Sequence, residues 1–222
     1  TVTADQAGDS TYNPAPQVSQ SFDIGLGNQT LTMTDPADIT SFVPNETVPL
    51  SATASSGLTA ITYGTSTPSV CTVSGSTATV IAAGTCTVTA DQAGDSNYNP
   101  APQVSQSFDI GLGNQTITFD AIADVAPFVL NQTVALSATA TSGLTVTFAT
   151  ATPSVCSVAG TTATVLTPGT CTVTADQSGD SNYNAAAQVS RSFTVGGATV
   201  EETQEQIAGF MQTRSNHLIS SQ

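Results

Sequence analysis

Lysine is absent from all 222 residues, tryptophan is absent as well, and the cationic side chains are two arginines and one histidine. Against them stand 16 aspartates and glutamates, for a formal charge of -14. Such a chain repels nucleic acid phosphates and anionic lipid, so neither is an expected partner. The missing lysines also exclude Lys–Asn isopeptide cross-links as a stabilising device. Charged residues make up only 8 % of the chain, which leaves solubility to Thr, Ser, Asn and Gln. No run approaches the 18 or more apolar residues of a membrane-crossing helix. His217, the sole histidine, sits near the end of the chain with no neighbouring carboxylate in sequence, so a Ser-His-Asp arrangement has little to build on and no catalysis is expected.

What is present is a repeat. Cys86 to Pro100 reads CTVTADQAGDSNYNP, Cys171 to Asn184 reads CTVTADQSGDSNYN, and the chain opens at Thr1 to Pro14 on TVTADQAGDSTYNP. The copies are offset by 86 residues between Thr1 and Thr87 and by 85 between Thr87 and Thr172. That period is too long for a solenoid unit and suits a small sandwich domain. Residues 1–23 match 87–109 at every position except Thr11, which is Asn97 in the later copy. They read as the last two strands of a repeat entered partway, and are expected to be disordered, packed on the next domain or paired with another molecule. Two full domains follow, at 24–109 and 110–195, and the short link Ile110-Gly111-Leu112-Gly113 suggests an end-to-end arrangement.

Four cysteines fall as Cys71 with Cys86 and Cys156 with Cys171, the same 15-residue separation in each repeat. That regularity argues for one disulfide per domain over four free thiols, and hence for an oxidising compartment. A domain of this size buries only about 60 to 65 % of its unfolded surface, so a covalent constraint is expected. The Cys-x14-Cys spacing has no second close pair and does not suit zinc.

Both domains open with Gly-Asn-Gln-Thr, at Gly27–Thr30 and Gly113–Thr116, and continue in short Thr/Val/Ile runs separated by Gly, Pro, Asn and Asp. This is the pattern of an all-β sandwich. In the second domain the expected strands are 116–119, 133–139, 145–149, 155–158, 163–166, 170–175 and 188–194, a count of seven. Alternation places Cys86, Val88 and Ala90, and likewise Cys171, Val173 and Ala175, on one inward row. The first domain carries one extra residue, most simply Ala60, and a β-bulge is expected there. Beyond Val195 a Gly-Gly hinge leads to Thr199-Val200-Glu201-Glu202, a capping box, and Ile207, Phe210, Met211, Arg214 and Leu218 share one helical face. The region 196–222 is therefore expected to hold a hinge and an amphipathic helix, about 199–219.

For ligands, the residues of interest are Asp91, Asp95 and Asn97 with Asn99, repeated as Asp176, Asp180 and Asn182 with Asn184. Carboxylates and amides in one loop are the oxygen donors calcium takes. The spacing differs from the calcium-loop pattern and lacks a closing bidentate acid, and the same residues make Asx turns. Calcium and a purely structural turn both remain open, and no other cofactor is indicated. The loop tyrosines Tyr12, Tyr98 and Tyr183 are expected to plug a sandwich end by their rings. Four Asn-x-Thr triplets begin at Asn28, Asn45, Asn114 and Asn131 and match the N-glycosylation pattern, as chance allows in a chain so rich in Asn and Thr. Rows such as Thr85, Thr87 and Thr89 form either a solvent-facing strand side or a hydroxyl face able to touch sugar.

Two stretches resemble known families. Ser69 to Phe108, with its copy Ser154 to Phe193, resembles the tandem immunoglobulin-like domains of large bacterial surface proteins. The tail Thr203 to Gln222, TQEQIAGFMQTRSNHLISSQ, resembles the segment just before the β-barrel of autotransporters, where a helix lies in the pore. The resemblances imply a cell-surface stalk of an adhesin-like passenger, held in the outer membrane by a barrel that follows. Its partners would be neighbouring repeats and that barrel. Two other functions stay open: a filament module that exchanges strands with other copies of itself, and a calcium- or glycan-binding adhesive domain.

Overall fold

The computed structural model describes residues 1–197; the expected tail helix and His217 lie outside the described residues. The described chain is all β, with no helix in it. By Cα proximity it divides into two units, the first formed by residues 1–38, 45–81 and 85–109, the second by 39–44, 82–84 and 110 onward.

The first unit begins with a hairpin of β1 (Val2–Gln6) and β2 (Ala15–Gln20). It continues through β3 (Leu31–Met33), β4 (Thr47–Pro49), β5 (Ala52–Ala54), β6 (Ile61–Thr65), β7 (Cys71–Ser74), β8 (Thr77–Val80), β9 (Gly84–Gln92) and β10 (Val104–Ile110). β3 pairs with β5, β8 lies between β4 and β7, and β9 lies between β6 and β10. The second unit repeats this with β11 (Ile117–Phe119), β12 (Thr133–Ala135), β13 (Ala138–Ala140), β14 (Thr147–Thr150), β15 (Cys156–Ala159), β16 (Thr162–Val165), β17 (Gly169–Asp176) and β18 (Val189–Val195). Its pairings are β11 with β13, β12–β16–β15 and β14–β17–β18. If β12 and β13 count as two halves of one strand, the strand orders are 1-2-5-4 and 3-6-7.

That strand, expected as one piece over 133–139, is divided by its hydrogen bonding. Thr133–Ala135 pairs with β16 and Ala138–Ala140 with β11. At the break Leu136 is buried, its N–H donates to Thr161 O at 2.8 Å, and Ser137 Oγ donates to Asp120 Oδ2 at 2.5 Å. Two consecutive residues thus serve the core and the outer neighbour, and the ladder restarts beyond them.

The extra residue of the first unit is absorbed differently from the expected bulge. β6 and β9 pair without a register shift from Ile61↔Gln92 to Thr65↔Val88. Ahead of the strand, Ile61 N–H donates to Thr59 O at 2.9 Å, which turns the chain through Ala60 in three residues. A turn outside the ladder leaves the inward row undisturbed, whereas a bulge would have disturbed it.

The core follows from alternation. β17 shows Cys171, Val173 and Ala175 with no exposure, and Cys156, Ala163 and Val165 meet them from the other sheet, also with none. Phe119 and Phe148 stack tilted at 5.3 Å, and Phe193 and Val195 complete the same cluster. Disulfides join Cys71 on β7 to Cys86 on β9, and Cys156 on β15 to Cys171 on β17, at Cα separations of 5.8 and 5.7 Å. Since β7 and β9 belong to different sheets, as do β15 and β17, each bond fastens one sheet to the other. Closing a 15-residue loop stabilises by about 3 kcal/mol in the chain-entropy model. The C156A/C171A double variant is expected to lose about that much in urea unfolding, with a native-like circular dichroism spectrum at zero denaturant.

Candidate functional site

The two recurrent motifs, Gly-Asn-Gln-Thr at the start of a repeat and the Asp/Asn loop near its end, come together in space. Gly27 N–H donates to Asn97 O at 2.8 Å, and Asn99 N–H donates to Gly27 O at 2.9 Å. A Cβ at Gly27 would lie 3.1 Å from the ring of Tyr98, so glycine is what allows the tyrosine to seat. Asn99 Nδ2 donates to Asn28 Oδ1 at 3.1 Å. The second unit repeats the set: Gly113 N–H to Asn182 O, Asn184 N–H to Gly113 O, and Asn184 Nδ2 to Asn114 Oδ1. There Tyr183 also meets Phe42 edge-on, with centroids 5.4 Å apart.

Two residues beyond the glycine starts a buried amide clamp that sequence reading did not single out. Gln29 Nε2 donates to Gln92 Oε1 at 2.5 Å and to Asn99 O at 2.7 Å, and Ser56 Oγ donates to Gln29 Oε1 at 2.5 Å. Gln92 Oε1 also takes the N–H of Gly94 at 2.6 Å. Both glutamines are 4 % exposed. The same bonds link Gln115, Gln177, Asn184, Ser142 and Gly179. Buried amides must find partners, and these do so by tying the first strand, the corner before β6 or β14, and the end of β9 or β17. The signal in the sequence was the invariance of Gln in two motifs 60 residues apart, a pairing only three dimensions reveal.

The calcium candidates are distributed among separate tasks. Asp95 Oδ1 accepts the N–H groups of Asn97 and Tyr98 at 2.8 and 2.9 Å, and Asp180 Oδ1 accepts those of Asn182 and Tyr183 at the same distances. These are Asx turns. Asp9 does the same for Thr11 and Tyr12, and the two backbone N–H groups hold its carboxyl below the usual carboxylate range. Asp91 instead accepts from Gln103 Nε2 with both oxygens, and Asp176 from Gln188 Nε2. Asn97 meets Gly27 through its carbonyl, and Asn182 Oδ1 accepts the N–H of Ala83 at 2.9 Å. Among the described residues no group of three or more His, Cys, Asp or Glu stands close enough to hold a metal ion. The threonine rows are also engaged: Thr85 Oγ1 donates to Asp109 Oδ1 at 2.6 Å, and Thr87 Oγ1 lies 2.8 Å from Ser107 Oγ. Of the Asn-x-Thr triplets, Asn28 and Asn114 are held by the loop asparagines, while Asn45 and Asn131 occupy exposed turns at φ 64°. The arrangement joins chain to chain; its chemistry is that of a structural closure.

No family model and no curated protein matches the chain. Among solved structures it is similar to Drosophila N-cadherin EC1-4, at 10 % identity and TM-score 0.31 over 75 % of this chain and 50 % of that one. It is also similar to the D00-D0 domain of intimin, at 21 % identity and TM-score 0.30 over 72 % of this chain and 98 % of that one. A third is a C-terminal intimin fragment solved in complex with the intimin-binding domain of its translocated receptor, at 18 % identity and TM-score 0.29, over 74 % of this chain and 64 % of that one. The chain spans half the length of the N-cadherin structure. Likeness at this level identifies neither family nor function.

Two substitutions test the site. Gln29→Ala leaves the buried Gln92 without its amide donor and is expected to cost about 1–3 kcal/mol in urea unfolding. Asp95→Asn keeps an oxygen for the two N–H groups and is expected to hold the melting temperature within about 2 °C, while Asp95→Ala costs about 1 kcal/mol by loss of both bonds. For a turn residue neither value shifts between excess calcium and chelator; a calcium-dependent loss in Asp95→Asn would make the loop a ligand set.

Proposed function

We propose that the chain is a non-enzymatic spacer of a bacterial surface protein, built from tandem immunoglobulin-like sandwiches. The strand orders 1-2-5-4 and 3-6-7 are those of the immunoglobulin constant type. One departure is the disulfide, which joins the fourth and sixth strands where antibody domains join the second and sixth. The observation that carries the reading is this inter-sheet bond, set at the same place in both repeats. Besides stabilising the fold, it has a mechanical effect: residues between the cysteines cannot extend while it stands. Disulfides point to an oxidising compartment, and a lysine-free acidic surface suits exposure outside the cell. Attachment to the outer membrane through a following barrel rests on the resemblance of residues 203–222 alone.

Single-molecule stretching of the chain tests the mechanical part. Each unit should unfold in one step when oxidised, and reduction should lengthen that step by about 45–50 Å, the roughly 50–54 Å of 15 extended residues less the distance the disulfide already spans. Steps of equal length in both states would remove the disulfide from the load path and with it this function.

A further inference from the structure

The fold sorts the four Asn-x-Thr triplets, at Asn28, Asn45, Asn114 and Asn131, into two kinds. Transfer of a sugar to asparagine asks three things of the acceptor: a side-chain amide free to turn, a hydroxyl two residues on that an enzyme can grip, and an accessible chain between them. At Asn28 and Asn114 the first and last are missing. Asn28 Oδ1 accepts from Asn99 Nδ2 and Asn114 Oδ1 from Asn184 Nδ2, each at 3.1 Å. The middle residues, Gln29 and Gln115, are 4 and 7 % exposed and belong to the amide clamp. Thr30 is tied to Ser55 through its N–H at 3.0 Å and its carbonyl at 2.9 Å, and Thr116 to Thr141 in the same way.

Asn45 and Asn131 meet all three demands. Residues 43–47 and 129–133 are exposed without a break. The turn is held by its main chain alone: Asn45 N–H donates to Val80 O at 3.1 Å and Glu46 O accepts the N–H of Val80 at 2.9 Å, while Asn131 and Gln132 do the same with Val165. Among the described residues no hydrogen bond engages the side chains of Asn45, Thr47, Asn131 or Thr133, and both threonines stand exposed at the start of a strand. The φ of 64° explains an asparagine at the turn, although glycine would serve it as well. It does not call for a threonine two residues on. The turns differ at Pro44 against Leu130 and at Glu46 against Gln132, yet both keep the asparagine and the threonine.

We propose that Asn45 and Asn131 are the positions at which this chain accepts an N-linked sugar, and that Asn28 and Asn114 are closed to it by the fold. The donor is a diphosphate-activated sugar. Nδ2 attacks the anomeric carbon, the new C–N bond replaces the C–O bond to the diphosphate, the diphosphate leaves with the bonding pair, and the amide gives one proton to a base of the transferase. The inference does not rest on the spacer reading.

The test uses an N-glycosyltransferase that takes UDP-glucose and modifies all four triplets as free synthetic peptides, of residues 24–34, 41–51, 110–120 and 127–137. On the folded, oxidised chain, peptide mass spectrometry should find hexose on Asn45 and Asn131, with Asn28 and Asn114 slower by on the order of tenfold or more because they react only through local opening. Thr47→Ala should abolish transfer at Asn45 alone and Thr47→Ser should restore it, with the circular dichroism spectrum unchanged in both. The chain isolated from the cells that make it should carry sugar on Asn45. Equal transfer to Asn28 in the folded chain, transfer that survives Thr47→Ala, or bare Asn45 and Asn131 in the isolated chain would each overturn the proposal.

Discussion

One strand position in each repeat bears most of the structure's demands. On β9 the inward side chains run Cys86, Val88, Ala90, Gln92: the first is bonded to the opposite sheet, the next two are fully buried, and the last enters the amide clamp. On β17 the run is Cys171, Val173 and Ala175, continued by Gln177 one residue past the strand's end, with the same roles. Because side chains alternate with a period of two, none of these roles can shift without moving all of them. Covalent staple, apolar core and polar closure are thereby locked to one register.

The ends of the repeat are bound by polar groups, and the reason is size. A sandwich of this length has room for a core only a few side chains deep, as the many Ala, Val and Cys residues at zero exposure show. Apolar burial near the last loop would leave backbone groups unsatisfied there. The glutamine pair places amides that donate and accept in one small volume, and the ring of Tyr98 or Tyr183 seats against the glycine two residues ahead of the first glutamine. Gly94 and Gly179, at φ 77° and 76°, turn the chain so that the Asx loop can reach over that end.

The hairpin at residues 1–23 makes the same point from the other side. It keeps the loop geometry and the cross-strand bonds, both local, and loses every buried contact. Local hydrogen bonding therefore sets the shape of this segment, while burial depends on strands far away in sequence.

Read as sequence, the chain determined its class, its repeat and the inward rows, because alternation of Val, Ala and Cys against Thr is a nearest-neighbour property. The 15-residue cysteine spacing pointed to the pairs the structure bonds. It could not say that each bond crosses between sheets, since that depends on which strands β7 and β9 pair with. Asp95 and Asp180 were legible as loop residues, but whether their oxygens face an ion or the chain's own N–H groups depended on the turn they make. Ala60 was visible as an insertion, yet only the unshifted β6–β9 ladder showed it taken up by a turn. The meeting of Gln29 with Gln92, and of Gly27 with Tyr98, belonged to tertiary structure alone: contacts across more than 60 residues leave no local period, and their partners become evident only when the strands between them have folded.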